Sequence, residues 1–209
     1  MTESRSDFEL LDAWAGGDQA AGRRLYERHF ALLFRFLRTK IEEGRDDLLQ
    51  AVWLACIEGR ERIRSRDSFR AYLLQTARFQ LYAYYRQRNR NQAIDFDAAS
   101  VVDLGSSPSR VFLRRQQERL LLEALRRVPL DQQIVLELSF WEELSGPEIA
   151  EVLGIPEPTV RTRLHRAIER LRAQMAAFPS SGQRLPDTED DLRQWALRLR
   201  EQLGAADDA

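Results

Sequence analysis

The pattern of apolar positions along the chain predicts helices. Apolar residues recur every three to four positions in two segments near the N-terminus, Asp7 to Ala15 and Gln19 to Ile41, with Gly16-Gly17 between them. The same spacing predicts a third helix from Asp46 to about Ile57 and a long fourth helix from Ser68 to about Arg90. The first half of the chain shows no period-two alternation typical of strands, so we expect an all-α fold.

Breaks in this helical periodicity divide the chain into segments. Residues 91–108 lack helical periodicity and combine Gly, Ser and Pro with several Asp, which indicates a flexible acidic linker. Helical spacing resumes near Ser109, and Asp131 is expected to cap a further helix after Pro129. We therefore predict two small helical domains, 1–90 and 109–177, followed by an extension over 178–209.

The second domain contains the pattern of a helix-turn-helix. Ser145 is expected to cap its first helix, with Pro147 in the first turn. Ala150 then provides a small residue for close helix approach, Gly154 tolerates positive φ in the turn, and Val160 is an apolar plug on the second helix.

The second helix of this motif has two different faces. Its apolar residues are Val160, Leu164, Ala167, Ile168 and Leu171. The polar side and its edges carry short side chains and guanidinium groups suited to bases and phosphates in a major groove. The DNA-contacting residues predicted there are Pro158, Thr159, Arg161, Thr162, Arg163, His165 and Arg166. A solvated amphipathic helix is the alternative interpretation.

The long fourth helix combines aromatic and cationic residues. Leu73, Leu74, Ala77, Leu81, Tyr84 and Tyr85 share its predicted inner face. The predicted outer face carries Tyr72, Gln75, Thr76, Phe79, Ala83, Arg86 and Arg90. Aromatic rings interleaved with Arg provide stacking surfaces and cations for single-stranded DNA. For Tyr72 and Phe79, packing against neighbouring helices is an equally open alternative.

Charge, hydropathy and the few cysteine and histidine residues limit the partners, the compartment and the kinds of site that we expect. The net charge of −1 conceals nine Arg against two acidic residues between Arg60 and Arg90, and this local patch is compatible with nucleic acid. No apolar run approaches the ~20 residues of a membrane span, and the acidic N-terminus is unlike a signal peptide, so we expect a cytoplasmic protein. Cys56 is interpreted as a small buried hydrophobe, and two separated histidines, His29 and His165, make a metal site improbable.

The C-terminal segment is predicted to contain one amphipathic helix. Thr188 is expected to cap it, with Asp191 three residues on. An apolar stripe of Leu192, Trp195, Leu199 and Leu203 then crosses an otherwise acidic helix. Three alternatives stay open: docking on this chain, where it could inhibit basic DNA-binding faces by charge mimicry, docking on a partner, or a mostly disordered tail.

Three segments, in order, resemble a known family. Residues 46–53 are similar to the core-polymerase-binding segment of extracytoplasmic-function sigma factors, and residues 69–78 to their promoter-melting, minus-ten segment. Residues 148–151 and 159–167 are similar to the minus-thirty-five reader. The sequence departs from the family pattern at Ala51, Tyr72, Phe79 and Pro158.

The resemblance implies a promoter-specificity factor without covalent chemistry or cofactor. It implies core RNA polymerase binding through Asp47, Leu48 and Gln50, and minus-thirty-five recognition by the helix-turn-helix. Minus-ten recognition is assigned to Arg64, Arg66, Tyr72, Gln75, Phe79 and Arg86. Core polymerase and promoter DNA are the implied partners, and an anti-sigma factor is a candidate third partner. The alternatives are a helix-turn-helix regulator or a protein-interaction homologue that does not act as a sigma factor.

Overall fold

The computed structural model describes residues 5–59, 68–89, 93–105, 116–178, 186 and 188–205. These residues form an all-α fold, as predicted, and none of their helices has the length and hydrophobicity needed to cross a membrane. The helices are α1 (Asp7–Ala15), α2 (Gln19–Arg38), α3 (Arg45–Gly59), α4 (Phe69–Arg88), α5 (Gln116–Arg126), α6 (Leu130–Phe140), α7 (Gly146–Leu153), α8 (Glu157–Ala177) and α9 (Glu189–Ala205).

Side chains that accept the free backbone N–H groups fix where several helices begin. Ser6 and Glu9 form a reciprocal capping box at α1, and Asp18 Oδ1 accepts from Ala20 N and Ala21 N at 3.0 and 3.1 Å. Ser68 Oγ accepts from Ala71 N at 3.1 Å, which confirms the predicted start of the long helix α4.

Asp131 does not cap α6, contrary to the sequence prediction. The N-cap position of α6 is Pro129, whose side chain makes no capping hydrogen bond. The Asp131 carboxylate is buried and lies near two guanidinium groups from other helices, Arg78 and Arg163. Asp131 therefore forms tertiary ion pairs instead of capping its own helix.

Helices α1 to α4 pack around a core in which aromatic rings cluster. The ring of Trp53 on α3 lies 6.1 Å from Trp14 and 6.5 Å from Phe69, so it joins α1, α3 and α4. Gly22 allows α1 and α2 to approach, since a Cβ there would lie 2.6 Å from the Trp14 ring. As a result, one face of α3 and one face of α4 are exposed to solvent.

Helices α5 to α8 form a second group, in which α8 packs against α5, α6 and α7. Val160, Leu171 and Met175 of α8 are buried in this contact. The predicted amphipathic helix α9 is present, and its apolar stripe is buried against α2, α5 and α6. Helix α9 therefore contacts both groups.

Residues 93–105 are packed rather than free, in contrast to the flexible linker predicted over 91–108. The Phe96 ring stacks on Tyr82 with centroids 4.2 Å apart, and Val101 is fully buried. Leu130 N donates to Ala99 O at 2.9 Å, which fixes this segment at the start of α6. The apolar residues that lie between the acidic ones, such as Phe96 and Val101, are the feature of the sequence that indicates this packing.

Candidate nucleic-acid and polymerase interfaces

The turn between α7 and α8 has the geometry that the helix-turn-helix pattern predicted. Ser145 N and Oγ both donate to Glu148 Oε2, at 2.7 and 2.6 Å, and the side-chain bond above all holds the pKa of Glu148 below its usual range. Gly154 adopts φ +66°, which a residue with a Cβ rarely adopts. Ile155 N donates to Ala150 O at 3.2 Å and closes the turn.

Helix α8 presents a continuous polar face to solvent. Six predicted DNA-contacting residues are exposed, namely Pro158, Thr159, Arg161, Thr162, His165 and Arg166. Arg161 lies 3.4 Å from Glu157 Oε1, an exposed pair that water and salt screen. The apolar residues of α8 lie on the opposite side, as the helical periodicity predicted.

Arg163 differs from the rest of this face. Its side chain is only 18% exposed, with Nη2 3.2 Å from Asp97 Oδ1 and Nη1 3.3 Å from Asp131 Oδ2. Burial raises the pKa of Asp131, while the positive charges of Arg78 and Arg163 oppose that shift. Arg163, which was predicted to contact DNA, is thus engaged within the chain.

Part of the predicted DNA-binding side of α4 packs against α7. Gln75 Nε2 donates to Glu151 O at 3.0 Å, and Arg78 Nη1 donates to Leu153 O at 3.0 Å. These carbonyls belong to the last turn of α7, where backbone acceptors need partners from outside the helix. Phe79 is 57% exposed beside them.

An exposed stripe runs along α3. Asp47 and Gln50 are exposed, and Leu54, one further turn along, is 57% exposed. These three residues share a face at spacings of three and four. Leu48 is buried in the core, so its predicted place on this surface is wrong: at 100° per residue it points away from Asp47.

Comparisons with known proteins identify the family. The family model of sigma-70 region 2 matches residues 25–91, and that of sigma-70 region 4 matches residues 118–171. RNA polymerase sigma factor YlaC of Bacillus subtilis is 30% identical over 155 residues, which cover 73% of this chain and 88% of YlaC. ECF RNA polymerase sigma factor SigL of Mycobacterium tuberculosis is 30% identical over 162 residues, covering 76% of this chain and 90% of SigL.

The chain belongs to the extracytoplasmic-function sigma factors. It is a factor of transcription initiation, and the partners of its family are core RNA polymerase and promoter DNA. Solved structures support the fold. CnrH in complex with the cytosolic domain of CnrY has a TM-score of 0.58 at 24% identity, covering 83% of this chain and 99% of CnrH.

The sigma factor differs from its sequence-based predictions on the inner side of α4. Tyr72 and Thr76 do not face outward: Tyr72 OH donates to Cys56 O at 3.0 Å, and Thr76 Oγ1 donates to Tyr72 O at 2.9 Å. Burial raises the pKa of Tyr72 to about 12. Tyr72 therefore joins α3 to α4, and packing, the alternative interpretation, applies to it.

The remaining predicted residues of the sigma factor divide into two sets. Phe79 and Arg86 are exposed on α4, and the Arg86 guanidinium lies over the Phe96 ring at 5.5 Å from its centroid. Arg64 and Arg66 lie outside the described residues. Cys56 is fully buried, as predicted, and burial raises the pKa of its thiol to about 12.

Sequence reasoning missed two residues at these interfaces. Leu54 lies at the seventh position after Asp47, so a helical wheel drawn from Asp47 would have found it. Arg78 belongs to the segment 69–78 that resembles the minus-ten region, and no role was predicted for it, yet it contacts both Leu153 O and the buried Asp131. Its partners are distant in sequence, and periodicity carries no information about them.

Proposed function

We propose that residues 1–90 of this sigma factor bind core polymerase and the minus-ten element, and that residues 109–177 read the minus-thirty-five element. Residues 91–108 connect the two domains, and the factor acts in the cytoplasm. The observation that carries this proposal is the α7–α8 motif, with Gly154 in the turn and a row of polar side chains exposed along α8.

Helix α8 is proposed to enter the major groove of the minus-thirty-five duplex. Arg166 is exposed in the middle of the polar face, where its planar guanidinium could bond a guanine edge with two hydrogen bonds. Pro158, Thr159 and Thr162 lie toward the N-terminal end of α8, and Arg161, Arg163 and His165 complete the contact surface. Arg163 is assigned a phosphate once its internal ion pairs are released.

The exposed side of α4 is proposed to hold the minus-ten strand. Phe79 presents an aromatic face on which an unstacked base can lie, and Arg86 and Gln75 provide cationic and amide donors. Arg64 and Arg66 precede this helix and add cations to the same segment of sequence. Tyr72 is assigned a positioning role, since it ties α4 to α3.

The stripe of Asp47, Gln50 and Leu54 is proposed to bind core polymerase. It combines a carboxylate and an amide with an exposed apolar side chain. An apolar centre with polar neighbours is typical of a protein interface. Because RpoE of Bartonella quintana is solved in complex with the anti-sigma factor NepR, a partner of that class is also a candidate for this chain.

The first prediction tests core binding. Asp47→Arg is expected to weaken association with core polymerase at least about tenfold and to leave the melting temperature unchanged, because an exposed carboxylate contributes little to stability. Glu27→Arg, an equal charge reversal at another exposed position, is the control. Titration of labelled factor with core polymerase measures both, and equal affinities for the two variants would reject the α3 surface.

The second prediction tests minus-thirty-five recognition. Arg166→Ala is expected to cost about 1–3 kcal/mol on the preferred sequence and to relax discrimination at one or two base pairs. Arg170→Ala removes another exposed Arg one turn further along α8 and is expected to weaken all sequences alike. Binding to a randomised duplex library compares them, and unchanged sequence preference in Arg166→Ala would contradict the assignment.

In vitro transcription tests the complete proposal. The factor, mixed with core polymerase and a promoter library, should produce transcripts whose upstream regions share two elements. Asp47→Arg should lower all transcripts together, whereas Arg166→Ala should change which promoters are selected. Failure of the wild-type chain to support transcription from any template with active core polymerase would contradict the proposed function.

A further inference from the structure

Helix α9 contacts both halves of the molecule. Arg38 Nη1 at the end of α2 donates to Leu203 O at 2.7 Å, while Arg198 Nε lies 3.9 Å from Glu118 Oε1 on α5. Arg193 lies over the ring of Phe140 at the end of α6. Between these polar contacts the stripe of Leu192, Trp195, Leu199 and Leu203 is buried.

The two halves also meet directly, through charged groups that are largely out of water. The Lys40 ammonium, two residues beyond the end of α2, donates to Glu137 on α6, and both side chains are buried. Arg35 and Arg70 both lie within ion-pair distance of the buried Glu142 carboxylate, at 3.3 and 2.7 Å. When the halves separate, water hydrates all these charged groups. This hydration offsets part of the ion-pair energy that is lost, so the free energy needed to open the contact is smaller.

This closed arrangement occupies two groups, Gln75 and Arg163, to which the proposed function assigns DNA. Gln75 donates to the α7 carbonyl of Glu151, as Arg78 does to that of Leu153. Arg163 is paired with Asp97 and Asp131. Gln75 and Arg163 must therefore each break an internal contact before they can reach a base or a phosphate.

The distance between the two promoter elements also requires the two halves to separate. The two promoter elements are about 25 base pairs apart, which at about 3.4 Å per pair is roughly 85 Å of duplex. In the closed arrangement, α4 and α7 are joined by hydrogen bonds of 3.0 Å. One chain in this arrangement cannot place α4 on one element and α8 on the other.

We propose that α9 is an intramolecular strap that holds the sigma factor closed, with Gln75, Arg78 and Arg163 engaged internally, and that promoter binding requires its release. The inference rests on the proposed DNA-binding roles of Gln75 and Arg163. Charge mimicry, the mechanism considered from the acidic composition, is not what the contacts of α9 show: its apolar stripe packs on α2, α5 and α6, and the polar face of α8 stays exposed.

The strap is suited to reversible release. Glu118 is 1% exposed, and neither of its carboxylate oxygens has a hydrogen-bond partner among the described residues. Docking of α9 thus leaves a buried polar group imperfectly satisfied, which offsets part of the gain from the apolar stripe. Most of the stability of a helix within a protein comes from tertiary packing, so release is expected to reduce the order of α9 as well.

Two substitutions on α9 separate docking from charge. Leu199→Asp places a carboxylate at a fully buried position of the stripe, whereas Leu197→Asp adds the same charge at a half-buried position outside the core. Donor and acceptor dyes are attached to Cys introduced at Glu27 on α2 and at the exposed Ala173 on α8, with Cys56 replaced by Ala. Energy transfer then reports the separation of the halves without any need for transcription.

Leu199→Asp is expected to lower energy transfer and to raise affinity for a random-sequence 30-base-pair duplex about tenfold, within the usual 5- to 150-fold range of a conformational coupling. Leu197→Asp should match the unsubstituted chain. Truncation after residue 185 should reproduce Leu199→Asp, and retained helicity with cooperative melting shows that the variants fold.

Unchanged energy transfer in both Leu199→Asp and the truncated chain would overturn the strap, as would equal effects of the two Asp substitutions. If energy transfer falls while duplex affinity stays constant, the internal contacts of Gln75 and Arg163 do not limit DNA binding, and the inhibitory part of the proposal is wrong. A factor that supports no transcription but opens in Leu199→Asp would instead contradict the proposed function alone.

Discussion

Replacement of Lys40 with Met is expected to weaken the contact between the two halves of the sigma factor by about 3–5 kcal/mol, because it leaves the buried Glu137 carboxylate without its cation. The Lys40 ammonium is fully buried and donates to Glu137 and to Phe36 O. Burial lowers the pKa of Lys40 and raises that of Glu137, so each charge depends on the other. Energy transfer between labels on α2 and α8, with calorimetry, measures the loss.

A double-mutant cycle gives this prediction its control. Glu137→Gln keeps an oxygen that can accept from Thr39 Oγ1 and Gln133 Nε2, which bond Glu137 Oε1 at 2.9 and 2.8 Å. Lys40→Met combined with Glu137→Gln removes both charges, and stability should return to within about 1 kcal/mol of the unsubstituted chain. A double variant as unstable as Lys40→Met would mean that the Lys40 stem, rather than the charge pair, holds the halves together.

Replacement of Trp53 with Ala is expected to lower the free energy of unfolding by about 3–5 kcal/mol. Its side chain is 5% exposed and its ring contacts the rings of Trp14, Tyr26 and Phe69. The cavity would lie where α1, α3 and α4 meet, beneath the proposed polymerase-binding stripe. Loss of stability and of core binding should therefore occur together, as measured by denaturant unfolding and polymerase titration.

Phe79→Ala is the matched aromatic control for Trp53→Ala. Phe79 is 57% exposed, so its truncation should change stability by no more than about 0.5 kcal/mol. It should still cost about 1–3 kcal/mol in affinity for a single-stranded minus-ten oligonucleotide, the usual contribution of one stacked base. A stable Trp53→Ala variant, or a Phe79→Ala variant with unchanged oligonucleotide binding, would contradict the roles given to these rings.

Local chemistry made much of the fold predictable. The helix start at Ser68, the caps at Ser145 and Thr188 and the turn at Gly154 depend on hydrogen bonds or dihedral angles within a few residues, and the structure confirms them. The two faces of α8 follow from a 3.6-residue period, because one side of that helix is buried throughout. Family resemblance added the function, which the comparisons then supported.

Two of the three errors have a common physical cause. Asp131 was interpreted as a cap and Tyr72 as an outward ring, whereas Asp131 is buried and Tyr72 is half-buried against another helix. Leu48 was assigned to the surface by the family resemblance, although helical periodicity turns it away from Asp47. Helical periodicity assigns an apolar side to one helix, but α4 and α6 are covered from several directions. For such helices the neighbours decide which side chains are buried.

The sequence by itself determined the helices, most of their ends, the helix-turn-helix and the amphipathic character of α9, because these depend on near-neighbour spacing and backbone capping. Only the tertiary structure decided that Lys40 meets Glu137, that Arg78 reaches Leu153 O, and that α9 joins α2 to α5 and α6. These contacts join residues about 75 to 165 positions apart. Such pairings arise from how whole helices pack, and no local pattern of hydrophobic and polar residues encodes them.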